Sequence, residues 1–227
     1  MLHESQIKNT LYLDIETAGL FSEFQELVEL NPTLADLWRK RCEWLNKADG
    51  TSSSPEILWE KKSALHPEFA RIVCVSVGYV DSEGTPHIKT ISEEDETLLL
   101  MQLRDQLNKI TQMGWKIAGH TIKNFDIPFI GKRMLIRGID PPSCIQVFNK
   151  KPWETGFLDI AEIFGFGAYG QTHTSLDLMC CVLGVESPKK EISGEDVHRS
   201  YWEGEINKII EYCEGDVAAV ISCFKKM

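Results

Sequence analysis

The segment TLYLDIETAGL, residues 10–20, places two carboxylates inside an otherwise apolar run. Successive side chains of a β-strand point to opposite faces, so Asp14 and Glu16 share one face with Tyr12, and the aliphatic residues between them share the other. An ionised carboxylate is costly to remove from water unless something compensates its charge. The segment is therefore predicted to be a strand, and the rest of the sequence must explain its two acids.

Length and composition favour a single domain over residues 1–227. The chain has 227 residues with 43% hydrophobic content, enough for a sizeable core. The N-terminal residues do not resemble a signal peptide, and no window approaches 18 uninterrupted apolar residues. Seven cysteines scattered through apolar segments fit reduced thiols. We expect a cytoplasmic protein with no membrane association.

The charge balance argues against simple electrostatic binding of a polyanion. The chain carries 34 acidic and 24 basic residues, a net charge of -10, whereas proteins that hold phosphates directly tend to be basic. Either the partner is not polyanionic, or something else brings positive charge to the site. A divalent metal held by carboxylates would do so.

The hydrophobic pattern predicts an α/β fold whose strands come first and then alternate with helices. Three antiparallel strands are expected in TLYLDIE, RIVCVSVGYV (71–80) and HIKTIS. Later strands are expected in WKIAGH and FLDIAEIF. Helices are expected over 93–110, from Asn124 to Arg137, in SLDLMCCVLG, in ISGEDVHRSYWEG and from Glu205 to the C-terminus.

Residues 22–66 are predicted to form a helical insertion between the first two strands. NPTLADLWRKRCEWL has helical spacing, and NKADGTSSSPE is expected to be a mobile loop. Trp38, Trp44 and Trp59 are expected to pack this element onto the core, with stacking on bases as the alternative.

Two further segments carry acids in suggestive positions. Asp126 falls in the first turn of a predicted helix, two residues after the expected cap Asn124, where the helix dipole favours a carboxylate. In the last helix, Tyr212 and Asp216 border the predicted buried stripe. Taken alone, the first is an ordinary helix start and the second an ordinary amphipathic helix.

The three segments DIET, NFD and YCEGD occur in the order typical of ribonuclease H-like 3′-to-5′ exonucleases with four catalytic acids. Together with LHPEFARIVCVSVG, LDL and GVESPKKEISGEDV, the chain resembles stand-alone exonucleases related to the proofreading domain of family B DNA polymerases. The resemblance implies a mixed sheet of three antiparallel strands followed by two parallel ones, flanked by helices. Tyr212 lies four residues before Asp216, as in the tyrosine branch of these enzymes, and Glu211 stands where the other branch has His.

The resemblance also implies an activity and a set of roles. The expected reaction is metal-dependent 3′-to-5′ hydrolysis of single-stranded nucleic acid, DNA favoured and RNA possible, releasing nucleoside 5′-monophosphates with two Mg²⁺ or Mn²⁺ ions. Asp14 would bridge both ions, Glu16 and Asp216 would complete one, and Asp126 would hold the other through water. Tyr212 would orient the attacking water.

Supporting roles follow from the same resemblance and from local charge. Candidate substrate contacts are Thr17, Thr121, Asn124 and Phe125. Thr121 stands five residues before Asp126, where related enzymes often carry Asn. Cations that could meet the phosphate backbone are Lys123, Lys132, Arg133, Arg137, Lys189 and Lys190. The histidines His66, His120, His173 and His198 are expected to be structural.

Two other readings of the sequence stay open. The chain could be a catalytically idle ribonuclease H-like module that serves as a binding partner. It could instead be a phosphodiesterase for short oligonucleotides.

Overall fold

A computed structural model describes residues 4–151, 154–166, 174–187 and 191–227. Its centre is one five-stranded sheet in the order β3-β2-β1-β4-β5. The strands are β1 (Thr10–Gly19), β2 (Ala70–Val80), β3 (Pro86–Ile91), β4 (Lys116–Gly119) and β5 (Phe157–Asp159). β1, β2 and β3 pair antiparallel, and β4 pairs parallel with both β1 and β5. The expectation of an α/β fold with a mixed sheet flanked by helices is confirmed.

Ten helices are described. They are α1 (Glu4–Lys8), α2 (Phe24–Leu30), α3 (Pro32–Asp49), α4 (Pro55–Lys62), α5 (Glu96–Met113), α6 (Asp126–Ile136), α7 (Ile160–Phe164), α8 (Leu176–Leu183), α9 (Val197–Trp202) and α10 (Ile206–Lys226). None of the helices within the described ranges has the length and hydropathy needed to cross a bilayer.

The alternation of β1 divides the core into two layers. Leu11, Leu13 and Ile15 pack with buried residues of α5 and α6 on one face of the sheet. Tyr12, on the other face, packs with α8 and α10, its ring 5.5 Å from that of Phe224. Asp14 and Glu16 share the face of Tyr12, so the same alternation directs them towards α10.

A β-bulge lies beside the two acids. Glu16 pairs with Cys74, but the next residue, Thr17, pairs with Ile72, which leaves Val73 as the extra residue of β2. As a result Val73 and Cys74 both pack towards α10. A bulge redirects side chains locally, and here it does so at the end of β1 that carries the acids.

Helices α2, α3 and α4 and a 3₁₀ turn (Ser63–Leu65) connect β1 to β2 and form their own apolar cluster. Trp38 and Trp59 are fully buried in it, with ring centroids 5.2 Å apart. Trp44 is 59% exposed, so the expectation that it packs on the core is wrong. The reason is helical phase, because the residues of α3 that enter this cluster lie on another face of the helix.

The loop predicted over NKADGTSSSPE is shorter than expected and covers only residues 50–54 between α3 and α4. α3 continues to Asp49, and Gly50 ends it with a left-handed φ of 66°. The side chain of Asn46 accepts from Thr51 Oγ1 and from Ser53 N–H, both at 2.9 Å. An Asn side chain that bonds nearby backbone fixes a polar connection that composition alone describes as flexible.

Two element boundaries differ from the prediction. FLDIAEIF forms a strand only to Asp159, whose side chain accepts from Ala161 N–H and caps α7. Helix α6 begins at Asp126 with Phe125 as its N-cap, and Asn124 does not cap it. A capping side chain ends the apolar strand in the first case.

Candidate active site

The two acids of β1 converge on α10. Carboxylate oxygens of Asp14 and Glu16 and the sulphur of Cys213 all lie within 4.8 Å of one another. Glu16 is 9% exposed, and Asp14 is only partly accessible. Two carboxylates, one buried and one partly buried, therefore lie side by side on this face of β1.

Asp126 reaches the same place from the other edge of β1. Its Oδ1 accepts a hydrogen bond from the backbone N–H of Ile15, which lies between Asp14 and Glu16, at 3.2 Å. β4 pairs with β1 only as far as Tyr12, so the amide of Ile15 lies beyond that ladder. Asp126, at the first position of α6 and 4% exposed, satisfies it.

The loop that delivers Asp126 is held by an acid that the sequence reasoning missed. Asp159, 1% exposed, accepts from the backbone N–H groups of Thr121 at 3.0 Å and Lys123 at 3.2 Å. Thr121 has a φ of 60°, a left-handed conformation that is unusual for a β-branched residue. The signal for Asp159 was its position before a helix, where Asp is a favoured cap.

α10 contributes Tyr212 and Asp216, one helical turn apart. Asp216 is 9% exposed, and its negative charge acts on both Asp14 and Glu16. Tyr212 is half-buried, and a hydrogen bond with Asp216 helps to hold its phenol. The prediction that both residues border the buried stripe of this helix is confirmed.

The electrostatics of these groups point in one direction. Burial first, and then the charges of Asp126 and Asp216, raise the pKa of Asp14 well above its ordinary range. Burial and the neighbouring Asp14 do the same to the pKa of Glu16. Burial, the largest cause, raises the pKa of Asp126 to about 7. We call Asp14, Glu16, Asp126 and Asp216 the carboxylate cluster.

Two neutral donors accompany the carboxylate cluster. Burial and the nearby carboxylates raise the pKa of the Tyr212 phenol, which stays protonated. Burial and the neighbouring Cys74 likewise raise the pKa of the Cys213 thiol. That thiol donates to the backbone oxygen of Asp14 at 3.5 Å and to its Oδ2 at 3.4 Å. Cys213 was missed because its place on the buried stripe indicated only packing.

The donor set fits divalent cations. Among the residues that the structure describes, Asp14, Glu16 and Asp126 form no ion pair with Lys, Arg or His. Hydrogen bonds from Cys213 to Asp14 and from Ile15 N–H to Asp126 only partly offset the effect of burial and of neighbouring negative charge. Hard carboxylate oxygens are the ligands that Mg²⁺ and Mn²⁺ prefer. A protonated thiol is not, so Cys213 belongs to the site as a donor to Asp14.

The expected substrate contacts differ from one another in exposure. Thr17 is 6% exposed, and its hydroxyl donates to Ala64 O at 2.8 Å. Asn124 is exposed beside the cluster, and Phe125 is half-buried against Phe129, with ring centroids 5.4 Å apart. Asn124 and Phe125 therefore remain available at the rim.

The expected cations divide into two groups. Arg133 is buried and pairs with Glu96, so a role on the phosphate backbone is wrong for it. Lys123 and Lys132 are accessible and pair with Glu162 and Glu68. Lys189, Lys190 and His173 lie outside the described residues.

Comparison with known proteins agrees with this arrangement. Residues 63–227 match a family described as a predicted 3′-5′ exonuclease related to the exonuclease domain of PolB. The fold is similar to the family B DNA polymerase of the hyperthermophilic archaeon Pyrobaculum calidifontis, with a TM-score of 0.55 and 16% identity. That similarity covers 96% of this chain and 24% of the polymerase chain, so the chain spans about a quarter of that protein. No curated protein sequence matches the chain significantly.

Proposed function

The chain belongs to the family of predicted 3′-5′ exonucleases related to the exonuclease domain of PolB, and we propose that it is an active, metal-dependent member that shortens single-stranded nucleic acid, preferentially DNA, from the 3′ end. One observation carries the proposal. Four carboxylates from three distant segments share one buried place, and three of them have raised pKa values that an added positive charge would relieve.

Each carboxylate has a separate role. Asp14, whose pKa is raised by the charges of both Asp126 and Asp216, would be shared by the two cations, Glu16 and Asp216 would complete one site, and Asp126 would hold the second. Two bound cations would stabilise the attacking and leaving oxygens of an in-line phosphoryl displacement. They would also neutralise the phosphate, which explains how a chain of net charge -10 accepts a polyanion.

The two neutral donors orient the reacting groups. With its pKa raised, the Tyr212 phenol is not a base, and it positions the attacking water by hydrogen bonding while Asp216 fixes the ring. The Cys213 thiol holds Asp14 Oδ2 in place. Attack of water on the phosphorus of the terminal phosphodiester, with cleavage of its P–O3′ bond, would release a nucleoside 5′-monophosphate and leave a 3′-hydroxyl on the shortened strand.

The direct test uses a 5′-labelled single strand. With Mg²⁺ or Mn²⁺ the purified protein is expected to produce a ladder of products shortened from the 3′ end, and excess chelator should stop the reaction. Matched DNA and RNA strands in a length series measure the preference. Equal activity in excess chelator would eliminate the two-metal proposal.

A further inference from the structure

Helix α3 has a second, partly apolar face that does not pack into the apolar cluster formed by α2, α3 and α4. Its buried residues are Ala35, Trp38, Cys42 and Leu45. A second line at helical spacing consists of Leu37, Lys40, Arg41 and Trp44. Leu37 is 49% exposed and Trp44 is 59% exposed, although this spacing normally marks a core face.

This second face forms one wall of a surface cavity of about 400 Å³, which we call the α3 groove. The remaining lining residues are Leu34, Glu68 and Phe69. The guanidinium of Arg41 lies 5.8 Å from the ring centroid of Trp44. The groove therefore combines an accessible aromatic ring, aliphatic surface and cations.

Positive charge is concentrated at the α3 groove although the whole chain is acidic. Lys40 and Arg41 form no ion pair with the described residues, and the one carboxylate in the lining, Glu68, pairs with Lys132 at 3.0 Å. Burial, followed by the positive charges of Arg41, Lys132 and others, lowers the pKa of the nearby His66. The groove thus has two lining cations, and its one lining carboxylate already has Lys132 as a partner, which suits an anionic ligand.

Residues 63–69 connect the wall of the α3 groove to elements that carry the carboxylate cluster. On one side, Thr17, the neighbour of Glu16, donates to Ala64 O. On the other side, Arg133 of α6, the helix that begins with Asp126, donates to Pro67 O at 2.8 Å. One short segment therefore joins the groove wall to two of the elements that carry catalytic carboxylates.

We propose that the α3 groove binds the single strand on the 5′ side of the nucleotide that occupies the carboxylate cluster. A base stacks on Trp44, and Lys40 and Arg41 meet the phosphates. Stacking on an aromatic ring and backbone contacts with cations are the two ways in which proteins hold single strands without reading their sequence. The inference rests on the proposed function, because the strand is the substrate of that site.

A comparison of a long and a short substrate distinguishes binding in the α3 groove from catalysis at the carboxylate cluster. A strand of about 12 nucleotides spans the site sizes typical of single-strand binding, whereas a dinucleotide leaves one nucleotide outside the cluster. In Trp44→Ala and Arg41→Ala, KM for the long strand is expected to rise by roughly 5-fold to 100-fold. kcat/KM for the dinucleotide should stay at the wild-type value.

The salt dependence of KM tests for a phosphate contact, because a purely structural role of Arg41 would not change it. In Arg41→Ala, the slope of log KM against log salt for the long strand should fall by about 0.7 for one lost phosphate contact. Trp44→Ala should leave that slope unchanged, and Trp44→Phe should restore most of the affinity because the stacking surface remains.

A matched control lies on the same helix. Arg39 points away from the groove, pairs with Asp36 at 2.6 Å and lies 5.2 Å from the Phe24 ring. Arg39→Ala removes the same charge and should leave KM for the long strand unchanged. An equal loss in Arg39→Ala, or normal KM in both groove variants, would overturn the inference. A wild-type protein that cleaves neither substrate with Mg²⁺ or Mn²⁺ would instead refute the proposed function.

Discussion

Two buried groups of charge lie on opposite faces of the sheet, and they have opposite electrostatics. Glu96 is 1% exposed, and Arg133 donates to both of its oxygens at 2.8 and 2.5 Å, with Arg137 adding a contact at 2.8 Å. Burial acts to raise the pKa of Glu96, but the hydrogen bonds and charge of Arg133 outweigh it, and the net shift is downward. In the carboxylate cluster burial acts without such partners, and the pKa values rise.

The comparison shows that burial alone does not decide what an acid does. Glu96 also accepts from Ile72 N–H of β2 at 2.9 Å, so the Glu96 pair ties β2 to α6. That connection holds the helix whose first residue is Asp126. The Glu96–Arg133 pair therefore helps to position α6, the helix that contributes Asp126 to the carboxylate cluster. In the carboxylate cluster, a bound ligand must supply the positive charge that Arg133 supplies to Glu96.

Turnover in Asp14→Asn should distinguish the carboxylate cluster most strongly from the Glu96–Arg133 pair. The variant loses a charged ligand common to both proposed cation sites, so turnover is expected to fall by about 10³-fold or more, since metal stabilisation of the transition state is worth several kcal/mol. Single-turnover rates with Mn²⁺ measure the loss. Glu96→Gln, assayed well below its melting temperature, should keep turnover within a few-fold of wild type. Comparable losses in both variants would remove the functional distinction.

Tyr212→Phe tests the donor at the carboxylate cluster. If the phenol orients the attacking water, the variant should bind Mn²⁺ normally and lose roughly 10²-fold to 10⁴-fold in turnover. Single-turnover rates and calorimetric Mn²⁺ titration distinguish the two effects. Turnover at the wild-type rate would refute the water-orienting role, and lost metal binding or a much lower melting temperature would indicate a structural role.

Glu96→Gln should be costly for stability instead. Removing one partner of a buried ion pair leaves Arg133 uncompensated, so the free energy of unfolding is expected to fall by about 3–5 kcal/mol. Because the pKa of Glu96 is lower in the folded chain, its stabilisation is complete above the unfolded pKa of about 4.3 and is lost as pH falls through the folded value. Urea unfolding at pH 7 should therefore show a large difference from wild type, and this difference should decrease as pH falls below about 4.3.

Thr121→Asn should produce the smallest effect and addresses backbone strain beside the carboxylate cluster. Asn tolerates a φ of 60° better than a β-branched residue does. The free energy of unfolding is expected to rise by up to about 1 kcal/mol, part of the cost of a left-handed conformation for a residue with a bulky Cβ, as measured by urea unfolding. A decrease would mean that the Thr121 side chain, whose Oγ1 lies 3.3 Å from His120 Nδ1, contributes more than the strain costs.

The main helices and strands could be predicted from the sequence because each has a local hydrophobic periodicity. The alternation in β1 predicted which face carries Asp14 and Glu16, and the stripe in α10 placed Asp216 and Tyr212 at its border. The link between the three acid-bearing segments came from resemblance, since periodicity does not say which elements meet.

What the sequence missed depends on tertiary contacts or on helical phase. The hydrogen bonds that Asp159 accepts from the loop before α6 and that Cys213 donates to Asp14 join residues far apart in the chain. Arg133 looked like a phosphate contact because the sequence could not show Glu96 buried against it. Trp44 looked like a core residue because composition does not reveal which face of α3 is covered.

Without bound cations, the buried charges of the carboxylate cluster lower the stability of the fold. The pKa of Asp126 rises from 3.8 to about 7 on folding, so the metal-free fold binds this proton more tightly than the unfolded chain does. The contribution of Asp126 to the stability of the fold therefore decreases as pH rises from about 4 through 7.

The most direct measurement is thermal unfolding of wild type and Asp126→Asn, in chelator and in Mn²⁺, from pH 4 to pH 8. In chelator at pH 8 the variant should melt higher, because it no longer buries a charged carboxylate, by about 2–4 °C for each kcal/mol of relieved burial cost, and this advantage should vanish towards pH 4. Mn²⁺ should raise the melting temperature of wild type more than that of the variant. A variant that melts lower than wild type in chelator at pH 8, together with a wild type that Mn²⁺ does not stabilise, would contradict the account.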